Sequence, residues 1–213
     1  MIIGLSGFKG SGKDTVASYL KNYGFETISY SGPLKDITAI LFNWPRNLLE
    51  GNTKESREWR EEPDLFWSEK LNIENFNPRY ALQYIGTELL RNNFYHDIWI
   101  TLIEKKINDK SSNNIVITDC RFKNELKLIE KMNGFLVHVK GVIPSWYQLA
   151  IQANNGDAYS EEKLKKLNIH KSEREWVGYS FDWVLNNDTT FKNLYNDIDK
   201  MLLQIERRLS DRS

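Results

Sequence analysis

A glycine-rich stretch that ends in a lysine and an aspartate lies close to the start of the chain. It runs Gly7-Phe8-Lys9-Gly10-Ser11-Gly12-Lys13-Asp14 and has the Gly-x-x-x-x-Gly-Lys spacing of a phosphate-binding loop. In such a loop the backbone N–H groups turn inward around an anion, and the lysine ammonium reaches the outer phosphates of a nucleotide. The stretch therefore predicts a site for a nucleoside triphosphate.

The residues around the loop support this interpretation, with one departure from the usual pattern. The apolar run at 1–6 predicts a buried strand, and residues 13–23 predict a helix that Gly24 ends. The position that usually carries a Ser or Thr ligand of Mg²⁺ is Asp14, and Thr15 follows it. The alternative is a tight connection without a ligand, which would leave the coincidence of glycines, lysine and context unexplained.

A second candidate position is a carboxylate that follows a run of β-branched residues. Residues 114–119 predict a buried parallel strand that ends at Asp119. Parallel strands deliver their carboxyl ends to the edge of the sheet where the phosphate loop also emerges. Asp119 is thus a candidate to act near Mg²⁺, directly or through water, and Arg121 and Glu125 follow it. The alternative is that Asp119 caps a helix at 121–132.

Further strands and helices are predicted from apolar periodicity and from Gly and Pro stops. The other strands are expected at 25–30, 135–140 and 181–185, and helices at 34–43, 79–92, 96–107 and 190–209. Residues 44–78 predict an accessory helical region, and those from Gly141 onward predict helical fragments that form a lid. Gly86 falls inside the helix at 79–92, where glycine costs about 1 kcal/mol against alanine. Either close packing or close approach of a ligand is expected to compensate.

Composition narrows the class of protein. With 213 residues, of which 40% are hydrophobic, the chain is long enough to bury a substantial core. Lys plus Arg and Asp plus Glu both number 29, so no net field would recruit nucleic acid. The single Cys120 excludes an internal disulfide framework, and neither a signal peptide nor an apolar run long enough to span a membrane is recognised. We therefore expect a cytoplasmic protein whose seven Trp and ten Tyr serve mainly in packing.

Short motifs follow one another along nearly the whole chain. They are Ser6-Gly7-Phe8-Lys9-Gly10-Ser11-Gly12-Lys13-Asp14-Thr15, Gly32-Pro33-Leu34-Lys35, Leu82-Gln83-Tyr84-Ile85-Gly86-Thr87-Glu88, Trp99, Thr118-Asp119-Cys120-Arg121, Glu125 and Asn186-Asn187-Asp188. In order and spacing this set resembles the deoxynucleoside monophosphate kinases of the tailed-phage type. The Gly-Lys-Asp-Thr form of the loop is itself the form of that family, so Asp14 fits the resemblance.

This resemblance implies an α/β fold with three layers, the P-loop kinase fold, in which helices flank a five-stranded parallel sheet. It implies a single kinase domain over 1–213, with a helical acceptor-binding insertion at 31–95 and a lid at 141–176. The implied reaction is transfer of the γ-phosphoryl group of ATP to a deoxynucleoside monophosphate, with Mg²⁺ as a bridge between phosphates. A phage-encoded enzyme of this kind would act in the host cytoplasm on a small substrate, without nucleic acid or membrane, and a homodimer would not be surprising.

The resemblance and the chemistry of phosphoryl transfer together give each candidate residue a role. The metal is assigned to Asp14 and Asp119. Arginines are candidates for clamping the acceptor phosphate or the transferred group, because guanidinium binds phosphate bidentately. The nucleotide-binding set is Gly7, Lys9, Gly10, Ser11, Gly12, Lys13, Asp14, Thr15, Arg174 and Asn187; the catalytic set is Lys13, Arg79, Arg91 and Arg121; the acceptor-binding set is Lys35, Arg79, Gln83, Arg91 and Arg121.

Alternatives to these roles stay open at the level of sequence. Each arginine could instead be a structural ion-pair partner, Lys35 could be a solvated first-turn lysine, and Gln83 could serve helix packing. For the whole chain, the nearest alternative is another small-molecule kinase, one acting on dephospho-coenzyme A or phosphomevalonate. A binding protein that uses the loop as a nucleotide switch is the alternative from a different class.

Overall fold

The computed structural model describes residues 1–109, 114–188 and 190–211, and within them five strands form one sheet. The strands are β1 (Ile2–Ser6), β2 (Glu26–Ile28), β3 (Ile115–Ile117), β4 (Phe135–Lys140) and β5 (Trp183–Asn186). Their order across the sheet is β2-β3-β1-β4-β5, and each neighbouring pair is parallel. The predicted five-stranded parallel sheet is confirmed, with β1 at its centre.

Helices occupy the connections between the strands, as a parallel sheet requires. In the described residues they are α1 (Lys13–Leu20), α2 (Gly32–Phe42), α3 (Lys54–Trp59), α4 (Leu65–Leu71), α5 (Pro78–Gln83), α6 (Ile98–Asn108), α7 (Lys123–Lys131), α8 (Tyr147–Asn154), α9 (Ala158–Lys166), α10 (Lys171–Arg174) and α11 (Phe191–Ser210). A 3₁₀ turn, Lys21–Tyr23, follows α1, and a π-helical segment, Tyr84–Asn92, follows α5. Across these described ranges, no helix is both long and apolar enough to cross a membrane.

Helices cover both faces of the sheet, which gives the predicted three layers. On one face, α1 and α11 share a buried core with the central strands, to which Ile3, Leu5 and Ile198 contribute. On the other face, α7 contacts β1 and β4 and buries Leu126 and Ile129. The strand β1 is apolar along its length because both of its faces are covered.

By their contacts the residues divide into two compact units. Unit 1 comprises Met1–Ile28 and Ile107–Ser213 and carries the sheet, and unit 2 comprises Ser29–Lys106. The predicted acceptor-binding insertion at 31–95 lies within unit 2. The predicted lid at 141–176 contains α8, α9 and α10 and lies within unit 1. The roles of these two regions stay predictions.

A cluster of aromatic rings holds unit 2 together. Phe42 stacks on Trp44, with ring centroids 4.5 Å apart, and meets Trp67 edge-on at 5.1 Å. Phe76 lies 5.3 Å from Phe42. The indole N–H of Trp44 donates to one carboxylate oxygen of Asp64 at 2.7 Å, and the other oxygen caps α4 at the backbone N–H of Trp67. These tryptophans therefore serve packing, as the sequence led us to expect.

The helix predicted at 79–92 is only partly an α-helix. The chain is α-helical over Pro78–Gln83 and π-helical over Tyr84–Asn92. Within the π-helical segment, the carbonyl of Gly86 accepts a hydrogen bond from Nε1 of Trp99 at 2.9 Å. A Cβ at Gly86 would lie 2.5 Å from Cδ2 of Leu34. Of the two explanations for this glycine, the structure shows close packing.

We predict that Gly86→Ala destabilises the protein by about 0.5–2 kcal/mol, because overpacking a filled core costs about 1–3 kcal/mol and alanine regains up to about 1 kcal/mol of helix propensity. The added methyl group would collide with the buried side chain of Leu34. The cost should shrink in the presence of Leu34→Ala, because the shortened side chain leaves room for the methyl group. Urea unfolding of the two single variants and the double variant measures this coupling. Additive free energies of unfolding would contradict the packing explanation.

Candidate active site

The phosphate loop joins β1 to α1 at the carboxyl edge of the sheet, the edge at which open α/β sheets usually bind ligands. Lys9 and Gly10 are exposed in the loop, and Thr15 is half-buried in the first turn of α1. Gly12 caps α1 with φ 98°, a backbone conformation that residues with a Cβ rarely adopt. A Cβ at Gly12 would also collide with the side-chain amide of Asn187. Backbone geometry and this close neighbour both require glycine at position 12.

The loop closes around the ammonium group of Lys13. Nζ donates to the carbonyl oxygens of Gly7, at 2.8 Å, and Phe8, at 2.9 Å. The backbone N–H of Ser11 donates to the same Phe8 carbonyl at 3.1 Å. In this structure the lysine therefore binds the loop's own backbone, and a phosphate would compete with two carbonyl groups for it.

Charged side chains of unit 1 interact with Lys13. Burial lowers the pKa of Lys13 to about 8, and the neighbouring guanidinium of Arg121 acts in the same direction. The carboxylates of Asp14 and Asp119 act in the opposite direction, since they favour the charged lysine. An anion in the loop would do the same. The structure thus brings Lys13, Asp14, Asp119 and Arg121 together, although the sequence places them in two separate motifs.

Two polar groups of Ser11 have different surroundings. Its carbonyl accepts a hydrogen bond from Nδ2 of Asn187 at 2.9 Å, and the backbone N–H of Asn187 donates to the Lys140 carbonyl at 2.9 Å. Asn187 therefore joins the ends of β4 and β5 to the phosphate loop. Ser11 is 2% exposed, and within the described part of the chain its hydroxyl has no hydrogen-bond partner. A buried unpaired hydroxyl usually costs about 1–3 kcal/mol, so this group is suited to binding a phosphate oxygen.

The end of β3 is fastened to the end of β1 beside the loop. The Ser6 hydroxyl donates to the Cys120 carbonyl at 2.8 Å, and the Cys120 N–H donates to the Leu5 carbonyl at 3.1 Å. These bonds hold Asp119, which is 9% exposed, at the end of β3. Burial raises the pKa of the Cys120 thiol well above its usual value, which favours the protonated thiol.

The alternative role of Asp119 as a helix cap is wrong. The helix α7 begins at Lys123, two residues later than predicted, and its N-terminal cap is Phe122. Glu125 satisfies the free N–H groups there: its Oε2 accepts from the backbone N–H groups of Arg121, at 2.7 Å, and Phe122, at 3.0 Å. The Glu125 carboxylate thus fixes the backbone that carries the exposed Arg121 side chain.

Arg174, the candidate lid arginine, forms an ion pair. Its guanidinium donates to both carboxylate oxygens of Glu161 at 2.8 Å, and its Nε donates to the Ile169 carbonyl at 3.3 Å. Arg174 is 3% exposed and lowers the pKa of Glu161. The structure therefore shows the ion-pair alternative, in which Arg174 holds α10 to α9.

Unit 2 carries the remaining candidates for the acceptor site. Lys35, on α2, forms an ion pair with Glu50 at 2.7 Å and is not simply solvated. Arg79, at the start of α5, forms one with Glu61. The other two are Gln83, at the end of α5, and Arg91, buried in the π-helical segment. To act as predicted, Lys35 and Arg79 would have to leave their carboxylate partners and bind phosphate instead.

The carboxylates at the loop fit a divalent cation that is held mainly by phosphates. Among the residues that the structure describes, no group of three or more His, Cys, Asp or Glu side chains could hold a metal. Asp14 and Asp119, which both act on Lys13, can supply one or two carboxylates. Mg²⁺ is commonly bound in this way, by one or two carboxylates together with substrate phosphates and water. The donor set therefore fits Mg²⁺ that arrives with a nucleotide.

The order of the parallel strands and the phosphate loop between β1 and α1 give this chain the P-loop kinase fold. A model of the family described as deoxynucleotide monophosphate kinase matches residues 46–198. A protein of Acanthamoeba polyphaga mimivirus, provisionally named a deoxynucleotide monophosphate kinase, is 31% identical over 214 aligned positions, which cover 93% of this chain and 94% of that protein. A deoxynucleoside-5'-monophosphate kinase of Escherichia phage T5 is 26% identical, over 73% of this chain and 82% of that protein. The chain belongs to the deoxynucleotide monophosphate kinase family, and the resemblance seen in its motifs is confirmed.

Solved structures also resemble this chain at low sequence identity. The protein TT1252 from Thermus thermophilus has a TM-score of 0.49 and 16% identity, covering 96% of this chain and 97% of its own. The dephospho-CoA kinase from Campylobacter jejuni has a TM-score of 0.45 and 16% identity, covering 96% of each chain. The family assignment rests on the sequence relatives.

Two residues shape the loop region without a role in the sequence prediction. Glu125 lies three residues after Phe122, the spacing of the glutamate in a capping box, but Phe122 is not the Ser or Thr of that motif, so the sequence signal for its contact with the backbone of Arg121 is incomplete. Phe8 fills an unspecified position of the loop pattern, yet its ring packs against aromatic residues of the 141–176 segment. No local signal indicates this contact, because the partners lie far along the chain.

Asn187→Ala should weaken nucleotide binding about fivefold. The substitution removes the hydrogen bond to the Ser11 carbonyl, which is worth about 1 kcal/mol, and frees the loop that the amide positions. Calorimetric titration with a non-hydrolysable ATP analogue and Mg²⁺ measures the change. Asn186→Ala, at the exposed neighbouring residue, is the matched control. Equal affinities for the two variants would show that Asn187 does not position the loop.

Proposed function

We propose that this protein transfers the γ-phosphoryl group of ATP to deoxynucleoside monophosphates, releasing deoxynucleoside diphosphates and ADP. The observation that carries the proposal is the charge cluster at the carboxyl edge of the sheet, where Lys13 lies inside the loop and Arg121 and Asp119 lie close to it. Arg121 adds positive charge beyond what the loop itself provides, which suits a second phosphate. Membership of the family supports the class of acceptor.

The loop would hold the phosphates of ATP. Its donors are the backbone N–H groups, the Ser11 hydroxyl and the Lys13 ammonium, with Thr15 near the start of α1. Lys13 would exchange its two carbonyl partners for phosphate oxygens. Arg174 would reach a phosphate only after leaving Glu161. The remaining residues proposed for the nucleotide site are Gly7, Lys9, Gly10, Gly12, Asp14 and Asn187.

Asp14 and Asp119 would hold Mg²⁺, Asp14 through a water molecule. When bound, the cation would offset the negative charge of the phosphates. For the acceptor, we assign the phosphate to arginines and a lysine and the base to a glutamine. These residues are Arg79, Arg91, Arg121, Lys35 and Gln83.

Phosphoryl transfer depends mainly on position and charge. The transition state spreads negative charge over the migrating group, so holding two anions in line and neutralising them provides most of the acceleration. Lys13 and Arg121 would supply fixed positive charge, and Glu125 holds the backbone of Arg121 in place. The chemistry needs no protein nucleophile, in keeping with the protonated, buried thiol of Cys120.

We also place this activity in the cytoplasm, or in the host cytoplasm if the chain is phage-encoded. The single cysteine is free and buried, which suits a reducing compartment. Free nucleotides in that compartment would be the substrates.

A panel of phosphate acceptors tests the proposed function. The purified protein is incubated with Mg-ATP and each deoxy- and ribonucleoside monophosphate, and separately with dephospho-coenzyme A and phosphomevalonate. We expect one or more deoxynucleoside monophosphates to become diphosphates, detected by anion-exchange chromatography. Phosphorylation of dephospho-coenzyme A or phosphomevalonate alone would replace the proposed substrate. ATP binding without phosphorylation of any acceptor would make the protein a nucleotide-regulated binding protein.

Arg121→Ala should lower kcat by about 100-fold or more while leaving the melting temperature nearly unchanged. The exposed side chain contributes little to folding, but its charge would act on the transferred group. Steady-state kinetics with the best acceptor and thermal unfolding measure the two effects. Lys127→Ala removes an exposed cation on the following helix, α7; it is the control and should behave like the unsubstituted protein. Undiminished turnover of Arg121→Ala would remove Arg121 from the catalytic set.

ATP affinity should fall as the pH rises through the pKa of Lys13. Burial lowers this pKa from 10.5 to about 8, so above about pH 8 binding requires uptake of a proton. We expect the dissociation constant to rise about tenfold per pH unit there, with proton uptake visible by calorimetry in two buffers. The unfolded chain keeps this proton up to about pH 10.5, whereas the folded chain loses it above about pH 8. The contribution of Lys13 to the free energy of unfolding should therefore rise between these two pH values. A pH-independent affinity across this window would contradict the role of Lys13.

A further inference from the structure

An aromatic ring projects from the phosphate loop into the 141–176 segment. The ring of Phe8 lies 4.7 Å from that of Trp176, and it meets Trp146 edge-on at 5.4 Å and Tyr147 at 6.0 Å. Trp146 and Tyr147 stand near the beginning of the segment, and Trp176 stands at its end. Edge-on and tilted aromatic contacts are attractive beyond the area that they bury. Both ends of the segment are therefore anchored on one loop residue.

A second contact joins the same two regions. Gly141, the first residue of the segment, lies directly against Ser11 in the loop, since a Cβ at Gly141 would be 2.8 Å from the Ser11 Cα. A movement of the loop backbone at Ser11 would consequently press on the beginning of the segment.

The backbone of Phe8 is also the part of the loop that a phosphate would disturb. The Phe8 carbonyl accepts from Nζ of Lys13 and from the N–H of Ser11. When the ammonium turns to a phosphate, this carbonyl loses one of the two donors. The group that responds to the phosphate and the ring that contacts the segment thus belong to one residue.

Hydrogen bonds inside the segment can spread such a change. Nδ2 of Asn154 donates to the carbonyls of Arg174, at 2.9 Å, and Val177, at 2.8 Å, which ties the end of α8 to the chain around Trp176. The backbone N–H of Lys123, at the start of α7, donates to Oε1 of Glu175 at 3.2 Å. These hydrogen bonds therefore join the two halves of the segment to each other, and they join the segment to α7, the helix that follows Arg121.

We infer that Phe8 is a positioning residue that couples phosphate occupancy of the loop to the order of the 141–176 segment. This inference rests on the proposed function, because it takes ATP as the occupant of the loop. Coupling is reciprocal: phosphates that fix the Phe8 backbone tighten the segment, and an ordered segment holds the loop in the form that binds phosphate. Ring contact, rather than apolar volume alone, carries the coupling.

Hydrogen exchange followed by mass spectrometry tests this coupling in the full chain. Exchange is measured at residues 7–15 and at 147–177, with and without a saturating non-hydrolysable ATP analogue and Mg²⁺. In the unsubstituted protein the analogue should slow exchange about tenfold or more in both regions, a typical size for coupling between sites. In Phe8→Ala the loop should stay protected at saturation, whereas the effect on 147–177 should fall below about twofold.

Two variants control the interpretation. Phe8→Tyr keeps the ring and should retain the coupling. Phe181→Leu changes a neighbour of Trp176 that is not among the rings touching Phe8, and it should retain the coupling as well. If Phe8→Ala does not unfold cooperatively, Phe8→Leu takes its place, because leucine keeps apolar volume without a ring. The same loss of protection at 147–177 is expected in that variant.

The outcomes separate this inference from the proposed function. Full protection of 147–177 in Phe8→Ala or its replacement would overturn the coupling role, as would its loss in Phe8→Tyr or Phe181→Leu. Protection of the loop alone in the unsubstituted protein would also overturn it, while leaving the proposed function intact. Absence of any protection in the loop would overturn ATP binding and with it both proposals.

Discussion

The rest of the site depends on the hydrogen bonds that hold the partly buried ammonium of Lys13 inside the loop. A lysine removed from water is unfavourable as a cation unless oxygens surround it. Here the carbonyls of Gly7 and Phe8 accept its protons, and the carboxylates of Asp14 and Asp119 favour its charge. The loop is thus already arranged around a charge, and a phosphate would replace carbonyl contacts that exist before it arrives.

The order of the strands places other parts of the chain around this loop. Because β3 and β4 flank β1 and β5 follows β4, four strand ends lie side by side at the edge where the loop emerges. Cys120 after β3 is bound to Ser6, Gly141 after β4 lies against Ser11, and Asn187 after β5 binds the Ser11 carbonyl. The glycine pattern therefore accounts for only part of the site, and the residues that follow β3, β4 and β5 supply the contacts that hold the loop in place.

Signals that are local in sequence predicted the fold and the loop, whereas contacts between distant residues could not be predicted. The glycine spacing and the apolar run before Asp119 are patterns among residues close together in the sequence. The phosphate loop and the parallel strands could therefore be predicted from them. The need for glycine at position 86 depends on how closely Leu34 approaches it in the folded chain. The cations at 79 and 174 are visible in the sequence, but the choice of Glu61 and Glu161 as their partners is a property of the folded chain.

Phosphorus NMR of the protein with Mg-ATP and the common deoxynucleoside monophosphates tests most directly whether Lys13 and its loop transfer a phosphoryl group. We predict that a monophosphate signal converts to a diphosphate in step with the conversion of ATP to ADP. Lys13→Met, with its fold verified by circular dichroism, should abolish this conversion. Release of inorganic phosphate without a deoxynucleoside diphosphate, or undiminished transfer by Lys13→Met, would contradict the account.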